Sequence, residues 1–304
     1  QSILEESNRI KKKIKLVRDK RVRPSLDDKV LTDWNSLMIS SLSKASVVFR
    51  REDYLALAIE SFEFIKKKMV QKDYSLLHCY RNDDASIEGL VDDYAFFTKA
   101  CVDLYEATLD VSVLALGRKV CDKMIELFWD NEKGSFYATP ESSMDVIVRQ
   151  KNLLDGAIPS GNSVALFGLA KVGGYCNDPV VLSNARKLSL QLGEMAKKFP
   201  INLAQFLANH LALLCESVQI VIINPHKDLS FDNEVVNYLR DFNHDNKLVY
   251  YIASDHDLES YKQIFKGSDD FLPKVSDKFE VYICKGYSCN LPVSSLNEVR
   301  EILE

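Results

Sequence analysis

From about residue 30 to residue 215, apolar residues recur at close to helical spacing, and the helices they mark fall in pairs. Residues 30–49 carry Val30, Leu31, Trp34, Leu37, Met38, Leu42, Ala45 and Val48 on one stripe. Residues 54–69 follow with Leu55, Ala58, Ile59, Phe62, Ile65 and Met69, and close on lysines, where the helix dipole favours cations. A second pair is expected over 92–109 and 113–128, and a third over 161–172 and 180–199. A further helix over 202–215 has no clear partner. The connectors 74–81 and 134–139 are expected to form short hairpin edges. Three and a half pairs make an arc rather than a closed ring, and an arc leaves its end hairpins with an uncovered apolar face.

From residue 216 the pattern switches to period two and to short apolar runs rich in β-branched residues. Strands are expected over 218–223, 248–253 and 279–284. Helices are expected from Asp232, read as an N-cap, to 242, over 258–265, and from Ser294 or Ser295 to 303. Strands alternating with helices imply a small parallel sheet with crossover connections. The expected fold is therefore mainly α, a partial toroid of helical hairpins followed by a small α/β region. The segments are a basic connector and helix remnant over 1–25, the half-toroid over 26–216, and the α/β domain over 217–304.

The starts of the first helix in each pair share a design. Asp27, Asp28, Asp33, Trp34 and Asn35 lie at the first, Asp92, Asp93 and Tyr94 at the second, and Asp155, Ser160, Gly161 and Asn162 at the third. The recurrence is roughly 60–70 residues, one helical hairpin, so the polar starts are expected to converge at one end of the stack. Two carboxylates in unlike surroundings divide acid and base roles, as in glycoside hydrolysis. Asp28, Asp33, Asp93 and Asp155 are the candidate acid–base or hydroxyl-binding groups. Trp34 and Tyr94 offer flat faces to a sugar ring, and Asn35, Ser160 and Asn162 offer hydrogen bonds to its hydroxyls. The plainer reading is that the aspartates and serine are N-caps and the aromatics core. Several polar starts in register favour the functional reading, under which alanine at Asp93 and Asp155 abolishes ligand binding with little loss of stability.

Composition narrows the remaining choices. A net charge of −5 on 304 residues gives no reason to expect nucleic acid or a membrane surface as partner. The basic run at Lys11, Lys12, Lys13, Lys15, Lys20, Arg21 and Arg23 reads as a solvated helix face. No apolar run reaches the roughly 20 residues of a membrane span, and the polar, basic start is no signal peptide. The chain lacks an initiator methionine and begins in what reads as mid-helix, as a fragment would. Seven cysteines, mostly scattered in apolar helices, fit a reducing, cytoplasmic setting. No glycine-rich phosphate loop or dinucleotide fingerprint is present, so no cofactor is expected. The five histidines are isolated in sequence, which argues against a metal site. Cys284 and Cys289 are separated by four residues, unlike a thioredoxin-type dithiol; a redox or disulfide pair and two unrelated loop thiols both remain open.

The ordered motifs resemble a known family. Arg21-Val22-Arg23-Pro24 with Asp27-Asp28-Lys29, Trp34-Asn35, Asp93-Tyr94-Ala95-Phe96, Asp155-Gly156-Ala157 with Pro159-Ser160-Gly161-Asn162-Ser163, and Cys284 with Cys289 and Pro292-Val293 are similar to the YyaL-type thioredoxin-domain-containing family that includes spermatogenesis-associated protein 20. The resemblance runs from about residue 14 to 303. It implies a longer protein with an N-terminal thioredoxin-like domain and first toroid hairpins in cis, and an (α/α)6 toroid like those of N-acylglucosamine 2-epimerases and six-hairpin glycosidases. Ser25 stands where such proteins often have histidine, and Ser36 where glycine usually follows Trp-Asn. The 2-epimerases use histidines as proton-transfer bases, and the half-toroid holds only His78 and His210, so epimerase chemistry ranks below carbohydrate binding or hydrolysis. The expected function is binding or processing of a small polyhydroxylated ligand. The alternatives are a non-catalytic scaffold for the thioredoxin-like domain in redox or client handling, with Cys284 and Cys289 as redox candidates, and an inactive paralogue.

Overall fold

A computed structural model describes residues 2–304 apart from 144–145, 227–232, 243, 268, 270 and 287. The chain forms two compact units, Gln1–Val30 and Leu31–Glu304. In the first, α1 (Ser2–Arg18) buries no side chain, and the basic residues of its run are exposed. The two-residue strand β1 (Val30–Leu31) leads into the second.

Three helical hairpins build the first part of Leu31–Glu304: α2 (Thr32–Phe49) with α3 (Glu52–Lys68), α4 (Val91–Thr108) with α5 (Val111–Phe128), and α6 (Gly161–Tyr175) with α7 (Pro179–Ala196). A 3-10 turn at Pro200–Leu203 feeds α8 (Ala204–Leu214), which packs on α6 and α7, so the helix without an evident partner closes the last hairpin. Helices α2, α4, α6 and α8 pack in succession as an inner row, while α3, α5 and α7 each back the inner helix of their own hairpin. The inner helix α4 is buried along nearly its whole length, whereas α3 buries only Ala58, Phe62 and Ile65. A Cβ at Gly117 would lie 2.7 Å from Cys101 Cβ, so glycine on α5 is what lets that helix approach α4.

Helix α2 reverses the expected face. Its buried side chains are Thr32, Asp33, Ser36, Ile39, Ser40, Ser43 and Ser46, while Trp34, Met38, Val48 and Phe49 are exposed. Ser36 and Ser43 return their hydroxyls to the carbonyls of Thr32 and Ile39, 2.6 and 2.8 Å away. A serine bonded back to its own helix is effectively a small neutral side chain, and small side chains allow close approach to α4. The packing stripe of α2 is thus a period of small residues, and the apolar stripe is its outer edge.

Between α3 and α4 the chain makes the hairpin β2 (Leu77–Arg81) and β3 (Asp84–Glu88), turning through Asn82 and Asp83, both at positive φ. A second small pair, β4 (Trp129–Asp130) and β5 (Ser135–Phe136), follows α5. β2 and β5 fall in the segments 74–81 and 134–139 expected to form hairpin edges, and their partners β3 and β4 lie outside them.

The α/β region contains β6 (Val218–Ile223), α9 (Glu234–Asp241), β7 (Lys247–Ile252), α10 (Asp255–Ile264), β8 (Glu280–Lys285), β9 (Ser288–Cys289) and α11 (Leu296–Leu303). The strand order is β7-β6-β8-β9. β6 and β7 are parallel as expected, but β8 runs antiparallel to β6, with Ile220 opposite Ile283. The fully parallel sheet is therefore corrected to a mixed one. β8 thus starts at the end of the sheet where β6 and β7 finish, a direction that strand periodicity does not register. The expected N-cap Asp232 lies outside the described residues, and Asn233 caps α9 by accepting from Val236 N.

This region packs on the inner helices through buried tyrosines. Tyr105 on α4 donates to Val249 O and meets the Tyr261 hydroxyl at 2.8 Å, and Tyr250 donates to Tyr175 O at 3.2 Å. Among the described residues, no helix is long and apolar enough to cross a membrane.

Candidate functional site

The amino ends of α2, α4 and α6 meet. Asp93, fully buried on α4, accepts from Leu90 N (2.8 Å) in a capping box and from Asp33 N on α2 (3.0 Å). One carboxylate therefore ties two helix starts together, where the exposed amides and both dipoles favour a negative charge. The start of α6 sits against Asp92: a Cβ at Gly161 would fall 2.2 Å from Asp92 Oδ1, so only glycine fits there.

The hairpin adds a residue that sequence reading set aside. Thr32 donates to Leu77 O (2.6 Å), which holds β2 against α2 and places the next residue, His78, over the helix starts. His78 Nδ1 lies 3.0 Å from each oxygen of Asp93. The His78 side chain is 21% exposed and that of Asp93 is 0%. With a proton on Nδ1 directed at Asp93, Nε2 is left as the basic nitrogen. The hydrogen bond to Asp93 raises the His78 pKa against the lowering effect of burial, with Asp33 and Asp92 adding smaller contributions. Asp33 is raised by burial and by the charge of Asp93, although Trp34 N donates to its Oδ1 at 2.7 Å. Asp92 is pushed up to about 6, chiefly by burial and then by Asp93, against the lowering effect of a hydrogen bond from the Gly161 backbone.

This arrangement has two chemical uses. An imidazole oriented by a buried carboxylate, beside a second carboxylate of raised pKa, is an acid–base set. Asp33, His78 and Asp93 also offer one ligand atom each, all within 4.8 Å of one another, a donor set able to hold a cation. The histidines isolated in sequence are thus not all isolated in space.

The other expected site residues have varied fates. Trp34 is 60% exposed at the start of α2, available as a flat face. Asn35 donates to Leu31 O (2.8 Å) within its own helix start. Tyr94 is buried: its hydroxyl accepts from Leu76 N (2.9 Å) and its ring packs edgewise on Phe128, so it is core rather than a stacking platform. Asn162 is also fully buried; its amide bonds both N and O of Phe136 and the Asn152 carbonyl, which pins the β5 connector instead of facing a ligand. Ser160 is the N-cap of α6. Asp155 accepts from Ser160 N and Gln205 N, both at 2.9 Å, joining the α6 start to α8. Asp28 is exposed and belongs to the Gln1–Val30 unit. The hydrogen bonds of Asp93 and Asp155 reverse the expectation that alanine there leaves stability intact.

A cavity of about 1150 Å³ opens along the inner helices. Its lining starts at Leu37, one helical turn from Asp33, and runs between the inner helices to the α/β region; Asp33, His78 and Asp93 are not among its walls. Away from it, Cys284 and Cys289 are disulfide-bonded across the β8–β9 pair, which makes them partners rather than unrelated loop thiols. They occupy a non-hydrogen-bonded position of that pair, where Cα atoms approach most closely. The remaining five cysteines are free, four of them buried.

No family model matches the sequence. Spermatogenesis-associated protein 20 of Homo sapiens is 24% identical over 296 residues, and that of Rattus norvegicus is 28% identical over 303 residues. These matches cover 94% and 95% of this chain, but only 37% and 38% of the relatives' own length. Among solved structures, cellobiose 2-epimerase from Bacillus thermoamylovorans is similar over 53% of this chain and 43% of its own, at 15% identity and a TM-score of 0.45. The resemblance read from the ordered motifs thus holds over nearly the whole chain.

Proposed function

We propose that this chain, similar to spermatogenesis-associated protein 20 over nearly its whole length, binds a carbohydrate or related polyhydroxylated ligand at the amino ends of its inner helices and processes it by proton transfer. The observation that carries the reading is the junction of Asp33, His78 and Asp93 from three separate elements. In it, His78 Nε2 takes a proton, Asp93 stabilises the resulting imidazolium, and Asp33 supplies or holds the second proton. Exposed Trp34 gives a sugar ring an apolar face to stack on.

The test is a panel of mono- and disaccharides, scored by thermal shift for binding, by glycosidic cleavage, and by deuterium exchange from heavy water for proton abstraction. His78→Asn is expected to keep the fold, because the imidazole is partly exposed and, among the described residues, hydrogen-bonds to Asp93. It should retain sugar binding while lowering turnover by about 10²–10⁴-fold. Unchanged turnover in that variant, or a panel in which no sugar shifts the melting temperature, sinks the reading.

The disulfide favours a second reading, a scaffold that offers the Cys284–Cys289 couple to a linked thioredoxin-like domain. Cys284 is buried and Cys289 exposed, so attack by an outside thiolate is directed at Cys289 sulfur. Under this reading, a reduced dithiol protein opens the pair within minutes and both thiols then label. A pair that stays oxidised under those conditions removes the redox role.

A further inference from the structure

The cavity along the inner helices is lined by charges whose balance is opposite to that of the acid cluster. Among its described lining residues, six basic side chains face four acidic ones, in a chain whose net charge is −5. The centre of this excess is a group of lysines on three inner helices: Lys44 on α2, Lys99 on α4 and Lys171 on α6. Two of them share one counterion. Buried Asp103 takes Lys99 Nζ at 2.6 Å on one oxygen and Lys44 Nζ at 3.4 Å on the other, with Ser40 also donating to it. Lys171 is neutralised by Glu106 at 3.1 Å. Among the described residues, the three lysines thus meet two carboxylates.

A surplus ammonium in a cavity is costly unless something offsets it. The protein supplies a partial offset: the ring of Phe167, half-buried on α6, has Lys99, Lys44 and Lys171 at 4.1, 5.6 and 6.0 Å from its centroid. Lys99 donates to Asp103, and Lys44, 56% exposed, makes the longer ion pair and the ring contact. Donors, charge and an aromatic face are thus held ready together. Asp103 raises the Lys44 pKa, while burial and the neighbouring Lys44 charge lower that of Lys99.

We propose that Lys44, Lys99 and Lys171 around Phe167 form a binding site for the phosphate group of a ligand. The site stands on its own as an anion site. Taken with the carbohydrate reading above, on which this extension rests, it makes the substrate class a sugar phosphate. Asp92 at the acid cluster and Lys99 at the phosphate site are seven residues apart on α4, two helical turns or about 10 Å along the axis. That separation suits a phosphorylated sugar reaching both levels better than a bare monosaccharide.

The experiment is titration of the protein with inorganic phosphate at constant ionic strength, followed by thermal shift and calorimetry, then with glucose and glucose 6-phosphate. Phosphate is expected to stabilise the protein where an equal ionic strength of chloride does not. Lys99→Met should weaken phosphate binding by roughly tenfold, the loss of one charge-assisted hydrogen bond. Lys44→Met, at an exposed position, tests the same point if the Lys99 variant folds poorly, and His78→Asn should leave phosphate binding unchanged. Phosphate stabilisation equal to that by chloride, or unaltered in both lysine variants, overturns the site. If phosphate binds through the lysines but glucose 6-phosphate binds no better than phosphate, the anion site stands and the carbohydrate reading fails.

Discussion

Replacing Asp93 with alanine is expected to destabilise the protein by about 3–5 kcal/mol. The change strands the buried amide Asp33 N and the part-buried amide Leu90 N, at about 1–3 kcal/mol each, and removes the charge-assisted bond to His78. Asn in the same position retains one acceptor oxygen and should recover about half of the loss. The pH dependence separates the histidine bond from the amides. The folded-state pKa of His78 is raised, so its contribution is fully present below the ordinary histidine value and is lost as pH rises through the raised one. Urea denaturation from pH 5 to 9 should show that loss in the wild type and not in Asp93→Asn. Titration of His78 by NMR should fall back toward about 6.5 in the same variant. A loss below about 1 kcal/mol for Asp93→Ala would mean the carboxylate is not the tie between α2 and α4.

The second large effect belongs to Asp103. Burial alone would raise its pKa, but Lys99 and Lys44 outweigh burial and hold the carboxyl below its ordinary value. Asp103→Asn removes the counterion from two lysines at once, and breaking a buried ion pair on one side costs about 3–5 kcal/mol. Without Asp103 the Lys99 pKa falls further, so the penalty is greatest where Lys99 is charged in both states. It should shrink as pH rises from neutrality toward the unfolded lysine value near 10. Inorganic phosphate should restore part of the lost stability, because it supplies the missing negative charge. A variant as stable as the wild type at pH 7, with no response to phosphate, would show that the lysines do not depend on Asp103.

The relatives place this chain beside spermatogenesis-associated protein 20, and the chain spans less than two fifths of their length. The two polar levels of the inner row give that similarity a chemical content that the sequence comparison lacks. One level joins two carboxylates to an imidazole; the other gathers three ammonium groups on a phenylalanine face. Both arise because alternate helices of stacked hairpins run in the same direction, so residues at equal depth on neighbouring inner helices become neighbours in space.

Much of the fold was legible along the chain. Helical periodicity located all three hairpins and the helix after them, and the change of period near residue 216 located β6, β7 and β8 but not β9. The spacing of the polar starts anticipated the meeting of Asp33 with Asp93, since a fixed hairpin length puts equivalent residues at equal height. Lys99 and Lys171 were also visible in principle, each as the single cation of its helix. On α3 the expected stripe of Ala58, Phe62 and Ile65 is the buried one, whereas the face that α2 buries could not be read from the sequence. On α2 Trp34, Met38 and Val48 of the apolar stripe are exposed, Leu37, Leu42 and Ala45 are half-buried, and serines pack, because close helix approach selects small volume over hydrophobicity. Nor could the sequence pair His78 with a carboxylate 15 residues away on another element, or turn β8 antiparallel. Local sequence specifies periodicity, caps and turns, which are interactions between near neighbours. Partners across elements depend on the distance and direction between packed surfaces, and only the tertiary structure decided those.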